Sequence, residues 1–355
     1  MNARLRVGSL ALVGAIAFGA CSSGSSTAVD HPTVDTTRLP AAVAELPTRL
    51  DNGANGQPQV YPPGHLPPTR ACGDRVRATP RSLVTRVLPD GPRRPDGSLA
   101  FISGVCVYLP PGYETRGLRY PVVYLLHGGG GDAADAVTFG HIRALMDERV
   151  ARHAADAAIV VMPDGDTGHW YDSIDGTFQN ERYVIDSVVP YVDQNFRTIR
   201  SRSGRAIDGV SNGGLGAMLL AAKHPTLFGV AGGMSSNLDA LTLPGLGDRH
   251  GTYYRKNVPI DLAAGLDHTD VILDVASRCT STVPADLCIS QRVDQAFLPA
   301  NRAFVAALRA RPQRRAALDY REIDGAHQWI WWNRTLRDRH LAFIAAHLAD
   351  PEPAG

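Results

Sequence analysis

The stretch that decides the fold is Arg205-Ala-Ile-Asp-Gly-Val-Ser-Asn-Gly-Gly-Leu-Gly-Ala-Met-Leu-Leu-Ala-Ala222. Its first residues are typical of a strand, and its end, from Leu215 onward, is typical of a helix. Between them, Gly209-Val-Ser-Asn-Gly213 has the pattern of a sharp strand-to-helix turn that presents a serine hydroxyl above a parallel sheet. The pattern predicts Ser211 as a nucleophile, with small neighbours because the backbone there is strained and closely packed.

Apolar runs and helical periods alternate along the rest of the chain. An antiparallel strand pair is expected first, over residues 82–88 and 99–109. Further strands are expected over 121–126, 157–162, 205–208, 228–234, 271–276 and 318–323, and helices over about 137–155, 181–195, 215–222, 293–310 and a last one ending at 348. This order predicts an α/β fold with a mostly parallel central sheet and helices on both faces. The site is expected at the carboxyl ends of the strands.

A serine hydroxyl becomes a good nucleophile only when a base takes its proton and an acid orients that base. In the hydrolase order, the acid and then the histidine follow the serine. His327 directly follows the last expected strand and is therefore the expected base. For the acid, a loop or helix start beyond the preceding strand favours Asp294 or Asp286, and Asp274 is a third candidate.

The negative oxygen that forms when a carbonyl carbon is attacked needs two fixed N–H donors. The backbone amide of Asn212, the residue after the serine, is one expected donor. The second is expected from the loop His127-Gly-Gly-Gly-Gly131, where glycines let backbone amides reach the site without obstruction by side chains.

The N-terminal segment has the features of an export signal. Residues 1–20 combine a basic start with a short apolar run, which predicts a signal peptide. Phe18-Gly-Ala-Cys21 is similar to a bacterial lipobox, so we expect lipidation at Cys21, with simple secretion as the alternative. Residues 21–70 are then a lipid-anchor tether and a Pro/Gly/Ala-rich linker, and residues 71–350 are one catalytic domain. The lipid would hold the protein at the outer face of a membrane.

Four cysteines remain, and local pairing predicts the disulfides Cys72–Cys106 and Cys279–Cys288. No metal-ligand spacing surrounds them, so a zinc site is not expected. The expected chemistry calls for neither a metal nor another cofactor. The net charge of +1 gives no reason to expect a nucleic-acid partner. The expected partner is an ester substrate, either a small molecule or a glycan or lipid ester.

Four segments together resemble the putative-esterase family of α/β-hydrolases, and the resemblance extends over about residues 82–348. The segments are 120–128, 209–214, 294–304 and 325–332. The family includes esterase-D-like S-formylglutathione hydrolases, feruloyl and acetylxylan esterases, enterochelin esterases and mycolyltransferases. The resemblance implies an α/β-hydrolase fold and a serine esterase that works through an acyl-enzyme. An acyltransferase with the same triad, or a non-catalytic cell-envelope binding protein, is the alternative.

The resemblance also assigns roles to single residues. In the mycolyltransferase branch the acid stands seven residues before a helical asparagine, and since 301 − 294 = 7 this implies Asp294. The second oxyanion donor is implied to be Gly129. Trp329 and Trp332 are implied to wall the acyl or alcohol pocket, with core packing as the alternative. Trp170 and Tyr171, in a loop after an expected strand, are further candidates for the pocket rim.

One departure from the family pattern bears on the reaction. The mycolyltransferase branch holds trehalose through an Asp and an Arg, at the positions where this chain has His127 and Gly130. We therefore expect ester hydrolysis in place of transfer to trehalose, with His127 as a substrate contact.

Overall fold

The computed structural model describes residues 72, 82–87, 104–165, 168–239, 243–280, 288 and 290–354. The strands in this part are β1 Leu83–Val87, β2 Gly104–Tyr108, β3 Leu118–Arg119, β4 Val122–Leu126, β5 Ile159–Pro163, β6 Arg205–Gly209, β7 Val230–Met234, β8 Asp270–Arg278, β9 Leu318–Asp324 and β10 Glu352–Pro353. Eight of them form one sheet in the order β1-β2-β5-β4-β6-β7-β8-β9, and β3 pairs separately with β10.

The strand directions confirm the predicted α/β-hydrolase architecture. From β5 through β4 and on to β9, every neighbouring pair is parallel. The predicted opening pair is also confirmed, since β1 runs antiparallel to β2, and β2 runs antiparallel to β5. The carboxyl ends of the parallel strands therefore share one edge, where the loops after them meet.

Helices cover both faces of this sheet. The α-helices are Tyr113–Arg116, Asp135–Thr138, Ile142–Arg152, Asn180–Arg182, Val189–Asn195, Asn212–Lys223, Thr252–Arg255, Gln291–Arg309, Trp329–Thr335 and Leu341–His347. Single π-helical turns, Tyr183–Val188 and Leu336–His340, each join two of them into one longer helix. Short 3₁₀ segments are Ala154–Asp156, Arg202–Gly204 and Pro259–Leu266. Below, Asn212–Lys223 is called the elbow helix and 329–347 the C-terminal helix.

The side chains of the central strands alternate between two hydrophobic clusters. On β4, Val122, Tyr124 and Leu126 belong to the cluster beneath the elbow helix, whereas Val123 and Leu125 belong to the cluster beneath the C-terminal helix. This alternation follows from the two-residue period of a strand. Because both faces are covered, β4 and β5 are apolar throughout, which is why continuous apolar runs predicted them.

One predicted helix is interrupted. The helix expected over about 137–155 occurs as Asp135–Thr138 and Ile142–Arg152, separated by a turn in which His141 has a φ of 49°. Gly140 lies so close to the backbone of Ala136 and the ring of Trp329 that a side chain there would overlap them. Close packing at this point therefore requires a glycine in the turn, which helical spacing alone did not predict.

Both predicted cysteine pairs lie at disulfide distance, with Cα–Cα separations of 4.9 Å for Cys72–Cys106 and 5.7 Å for Cys279–Cys288. The first pair ties residue 72 to β2, and the second joins the end of β8 to the segment before the helix Gln291–Arg309. The predicted signal peptide, Cys21 and the linker to residue 70 lie outside the described residues. Within the described ranges, no helix is both long and apolar enough to span a membrane.

Candidate active site

Ser211 lies between β6 and the elbow helix with an unusual backbone conformation, φ 56° and ψ −117°. Few side chains tolerate a positive φ, so neighbouring contacts must compensate for the strain. The Ser211 N–H donates to the Met234 carbonyl at 2.8 Å, and the Ser211 carbonyl accepts from Leu215 and Asn237 N–H groups at 3.2 Å each. These three bonds hold the strained serine, whose side chain is nearly buried at the carboxyl edge of the sheet.

The two glycines of the pentapeptide are required by close approach. A Cβ at Gly209 would overlap the backbone of Gly213, and a Cβ at Gly213 would overlap the carbonyl oxygens of Leu126 and His127. The elbow helix can therefore start directly above β4 and β6 only because both residues lack side chains. This packing places the start of the helix beside the loop that follows β4.

Ser211, His327 and Asp294 form one hydrogen-bonded chain. His327 Nε2 lies 2.9 Å from Ser211 Oγ, and His327 Nδ1 lies 2.8 Å from Asp294 Oδ1. Since a carboxylate only accepts, Nδ1–H must donate to Asp294, which leaves Nε2 free to accept the serine hydroxyl proton. Asp294 has no exposed surface. The structure thus brings together the three residues that the sequence proposed as nucleophile, base and acid.

Aromatic rings fix the imidazole of His327 from two sides. Phe297 and Trp332 contact it edge to face, with ring centroids 5.2 Å and 4.8 Å away. Trp332 is itself held, because its Nε1–H donates to Ser235 Oγ at 3.0 Å. Trp329 packs on Trp332 with a centroid distance of 5.5 Å. Trp329 and Trp332 thus stand behind His327, and their predicted contact with substrate stays a prediction.

The helix that carries Asp294 is anchored by Asn301, one of the residues that marked the resemblance. Asn301 is fully buried, and its side-chain amide donates to the Ser236 carbonyl at 2.8 Å and to the Phe297 carbonyl at 3.0 Å. The segment after β7 therefore touches the serine, through Asn237, and the acid helix, through Ser236. Sequence reasoning did not single out this segment, since it contains no recognised motif.

The alternative acid Asp274 has other partners. It is buried in β8, accepts two bonds from Arg339 Nε at 3.0 Å, and lies 3.0 Å from His340 Nε2. The partners of the Asp274 carboxylate are therefore Arg339 and His340, and not His327. Asp286, the other alternative, lies outside the described residues.

The two predicted oxyanion donors have available amides. Neither Asn212 N–H nor Gly129 N–H donates to a partner among the described residues. Asn212 begins the elbow helix, so its N–H has no acceptor within the helix. The loop after β4 lies against the nucleophile, since a Cβ on Gly128 would be 3.3 Å from the Cβ of Ser211. Both amides therefore remain available beside Ser211, and their role in binding an oxyanion stays a prediction.

His127 and Trp170 support this loop from within the protein. His127 Nδ1 lies 2.8 Å from the Gly128 carbonyl, and His127 Nε2 accepts from Gly165 N–H at 2.9 Å. Burial lowers the pKa of His127, in keeping with a neutral ring that donates through one nitrogen and accepts through the other. Trp170 is fully buried, and its Nε1–H donates to the His127 carbonyl at 3.0 Å. This corrects the expectation that the two side chains contact substrate, because motif and loop position do not reveal side-chain direction.

Comparison with known proteins adds to this geometry. Residues 102–343 match the family described as "Putative esterase". An esterase of Mycobacterium tuberculosis is 42% identical over 127 residues, which is 34% of this chain and 26% of that protein. An endo-1,4-beta-xylanase/feruloyl esterase of Xylanibacter ruminicola is 35% identical over 136 residues, 36% of this chain and 19% of that protein. The chain thus matches about a quarter or less of the length of these curated relatives.

Among solved structures, the chain is similar in fold to an S-formylglutathione hydrolase from Agrobacterium tumefaciens. The TM-score is 0.58 with 20% identity, and the match covers 75% of this chain and 95% of that one. The similarity supports the α/β-hydrolase fold described above.

The position of Gly168 yields a test of the loop after β4. Gly168 and Gly130 both have a φ of +73°, so alanine strains the backbone at either one. Only at Gly168 would a Cβ also collide with the loop, 2.6 Å from the Gly128 oxygen and 3.1 Å from Gly129 Cα. Gly168→Ala should therefore lower kcat for p-nitrophenyl acetate by about 10²-fold, the size of losing one oxyanion donor. Gly130→Ala, where a Cβ meets open space, should lower it far less, and equal losses in both variants would contradict the role given to Gly129.

The acid can be identified by paired substitutions. Asp294→Asn should lower kcat by about 10⁴-fold, since an amide favours the wrong tautomer of the base. Asp286→Asn is the matched control and should leave kcat near that of the parent. Steady-state hydrolysis of p-nitrophenyl acetate at neutral pH measures both variants, and the reverse pattern would reject Asp294 as the acid.

Proposed function

This chain belongs to the putative-esterase family, and we propose that it is a serine esterase that hydrolyses carboxylic esters. The observation that carries the proposal is the chain of hydrogen bonds from Ser211 Oγ through His327 to Asp294, at 2.9 Å and 2.8 Å. In this series of hydrogen bonds, each of the three residues has the partner that its proposed role requires. The available amides beside Ser211 add the groups that an oxyanion needs.

The first half of the proposed reaction makes an acyl-enzyme. Ser211 Oγ attacks the ester carbonyl carbon while His327 Nε2 takes the hydroxyl proton. The carbonyl oxygen gains negative charge, which the N–H groups of Asn212 and Gly129 stabilise. His327 then gives its proton to the departing alkoxide, so that an alcohol leaves and the acyl group remains on Ser211.

The second half returns the enzyme to its starting state. A water molecule gives a proton to His327 and attacks the acyl carbon, and the same two amides stabilise the second oxyanion. The carboxylate of Asp294 stabilises the imidazolium in both halves, because it is buried and lies 2.8 Å from Nδ1. When the intermediate collapses, the bond to Ser211 Oγ breaks, the oxygen takes the proton back from His327, and the carboxylic acid is released.

Hydrolysis is favoured over transfer to a sugar by the loop after β4. The sugar-binding Asp and Arg of the mycolyltransferase branch are replaced by His127 and Gly130. His127 is buried, and both of its ring nitrogens already have protein partners. Neither position therefore offers a charged side chain to a sugar. Acyl transfer and a non-catalytic binding role remain as outcomes of the test below.

Replacement of the nucleophile tests the proposal directly. Ser211→Ala should lower kcat for p-nitrophenyl acetate by about 10⁵–10⁶-fold with the fold intact by circular dichroism. Ser203→Ala, at a serine whose hydroxyl lies at the protein surface beside that of Ser201, is the control and should behave as the parent. Parental turnover by Ser211→Ala would reject the mechanism. A wild-type protein that turns over no ester would favour the non-catalytic binding protein. If glycerol is added and more acyl-glycerol than free acid forms, the acyltransferase is favoured.

We further propose that the protein is exported and held at the outer face of a membrane by a lipid on Cys21. The support is the signal-like sequence of residues 1–20, the lipobox-like Phe18-Gly-Ala-Cys21, and the paired state of the other four cysteines, which suits an oxidising compartment.

The anchor can be tested in a bacterial host that processes lipoproteins. The wild-type protein should fractionate with membranes, and mass spectrometry should find an acylated Cys21 as its first residue. Cys21→Ala should abolish acylation and release the protein from washed membranes. Recovery of unmodified wild-type protein in the culture medium would instead establish simple secretion.

A further inference from the structure

A second histidine, His340, is buried between two carboxylates that the proposed mechanism does not use. His340 Nδ1 lies 2.8 Å from Asp208 Oδ2, and His340 Nε2 lies 3.0 Å from Asp274 Oδ2. None of the three side chains exposes more than 1% of its surface. The sequence analysis did not identify this cluster. The one feature of the sequence that could have indicated the cluster is Asp208, an acidic residue near the end of a buried strand.

The geometry indicates the protonation state of the ring. A carboxylate oxygen only accepts hydrogen bonds, and both ring nitrogens face one. Both nitrogens must then donate, which makes the ring an imidazolium. Arg339, on the same turn, supplies a second positive charge to Asp274 at 3.0 Å. Two buried negative charges are therefore balanced by two positive ones, as burial of charge requires.

Within the part of the chain that the structure describes, few other charged groups face this cluster. Asp319 on β9 reaches it through Arg339, at 3.2 Å from the guanidinium. The strand β7, which lies between the strands of the two carboxylates, has the sequence Val-Ala-Gly-Gly-Met and brings no titratable group. Its Gly232 leaves the space that Asp208 occupies, since a Cβ there would overlap the carboxylate.

The cluster connects the elements that carry the proposed nucleophile and base. Asp208 stands three residues before Ser211, and its Oδ1 accepts the N–H of Gly209 at 2.7 Å. His340 belongs to the C-terminal helix, whose first turns carry Trp332 against the ring of His327. A bond between Asp208 and His340 therefore joins the strand that ends at the serine to the helix that supports the histidine.

The second carboxylate extends this connection. The Asp274 carbonyl accepts the N–H of Ser235 at 2.7 Å, and Ser235 Oγ accepts from Trp332 Nε1. The loop after β7, the C-terminal helix and β8 are thus held to one another on the side of the site opposite the loop after β4.

We propose that His340 is a positioning residue: its doubly donating imidazolium ties the Ser211 strand to the helix behind His327, and loss of its proton at alkaline pH loosens that tie and lowers turnover. The inference rests on the proposed function, because it assigns an effect on ester turnover. His340 itself touches neither Ser211 nor substrate.

The electrostatics agree with this geometry. Burial by itself lowers the pKa of His340, but the charges and hydrogen bonds of Asp208 and Asp274 outweigh it and raise the pKa from 6.5 to about 9. When the pKa of a group is raised in the folded state, its full contribution to stability is present below its unfolded pKa. For His340 this contribution is lost as the pH rises from 6.5 through about 9. Because the pKa in the folded state is about 9, the ring keeps both protons at neutral pH and the tie is intact.

The test is the pH dependence of kcat for p-nitrophenyl acetate from about pH 6 to about pH 10.5, with spontaneous hydrolysis subtracted. Wild type should lose kcat with a midpoint of about 9. Asp208→Asn keeps an oxygen for the Gly209 N–H but removes one carboxylate from the ring, so the midpoint should fall by about 1–3 pH units.

Two further variants separate positioning from general stability. Arg339→Gln removes a cation from the same cluster and leaves both carboxylates on the ring, so its midpoint should not fall. His340→Asn should have a lowered kcat that no longer decreases over the alkaline range. Equal midpoints in wild type and Asp208→Asn would overturn the inference while the proposed function stands. A wild type that turns over no ester would overturn both.

A direct measurement covers the case in which a variant fails to fold. Imidazole ¹⁵N shifts of the wild-type protein at about pH 8 should show one histidine with both nitrogens protonated, a state that an ordinary histidine has lost at that pH. Finding every histidine ring neutral at this pH would overturn the inference.

Discussion

The site depends on one backbone constraint, the positive φ of Ser211 between a buried strand and a helix. A conformation of this kind costs on the order of 1–3 kcal/mol and persists only where the surroundings determine it several times over. Here Met234 and Asn237 hold the serine backbone, and Gly209 and Gly213 let the helix approach the sheet closely enough to start there. The strain places the hydroxyl above the carboxyl edge of the sheet, where side chains from other loops can reach it.

The parallel sheet determines which loops those are. The loops after β4, β6, β7, β8 and β9 all emerge at the same edge, and each contributes a part of the site. The parts are the amide of Gly129, the serine, the support from Ser235 to Asn237, the proposed acid Asp294 and the proposed base His327. In the proposed mechanism the ester meets a hydroxyl, an imidazole and two backbone amides. We therefore expect the shape of the pocket, more than charge, to decide which esters bind.

Much of this arrangement could be predicted from sequence because it depends on local chemistry. The buried strands β4 and β5 appear as continuous apolar runs, and the elbow has the pattern of a serine on a sharp strand-to-helix turn. The acid was harder to predict: Asp274, Asp286 and Asp294 all fitted the chain order, and position after the preceding strand favoured Asp286 or Asp294. Only the spacing to Asn301 in related proteins then favoured Asp294.

The remaining features depend on contacts between distant parts of the chain. Trp170 and His127 were expected to face substrate, and they face inward because the space behind the glycine loop has to be filled and its carbonyls bonded. In the cluster at His340, Asp208 and His340 are 132 positions apart in the sequence, and no local pattern marks such a pair. Helical periodicity also did not predict the break at His141, which lies beside the closely packed Gly140.

The proposed mechanism requires Ser211 to be an activated nucleophile, and reaction with a fluorophosphonate measures that activation without any choice of substrate. The folded wild-type protein should gain the mass of one adduct, and peptide mapping should place it on Ser211, because only a serine with a base and oxyanion donors reacts rapidly with such a reagent. An unlabelled folded protein, or an adduct on a different residue, would show that the nucleophile has been misassigned.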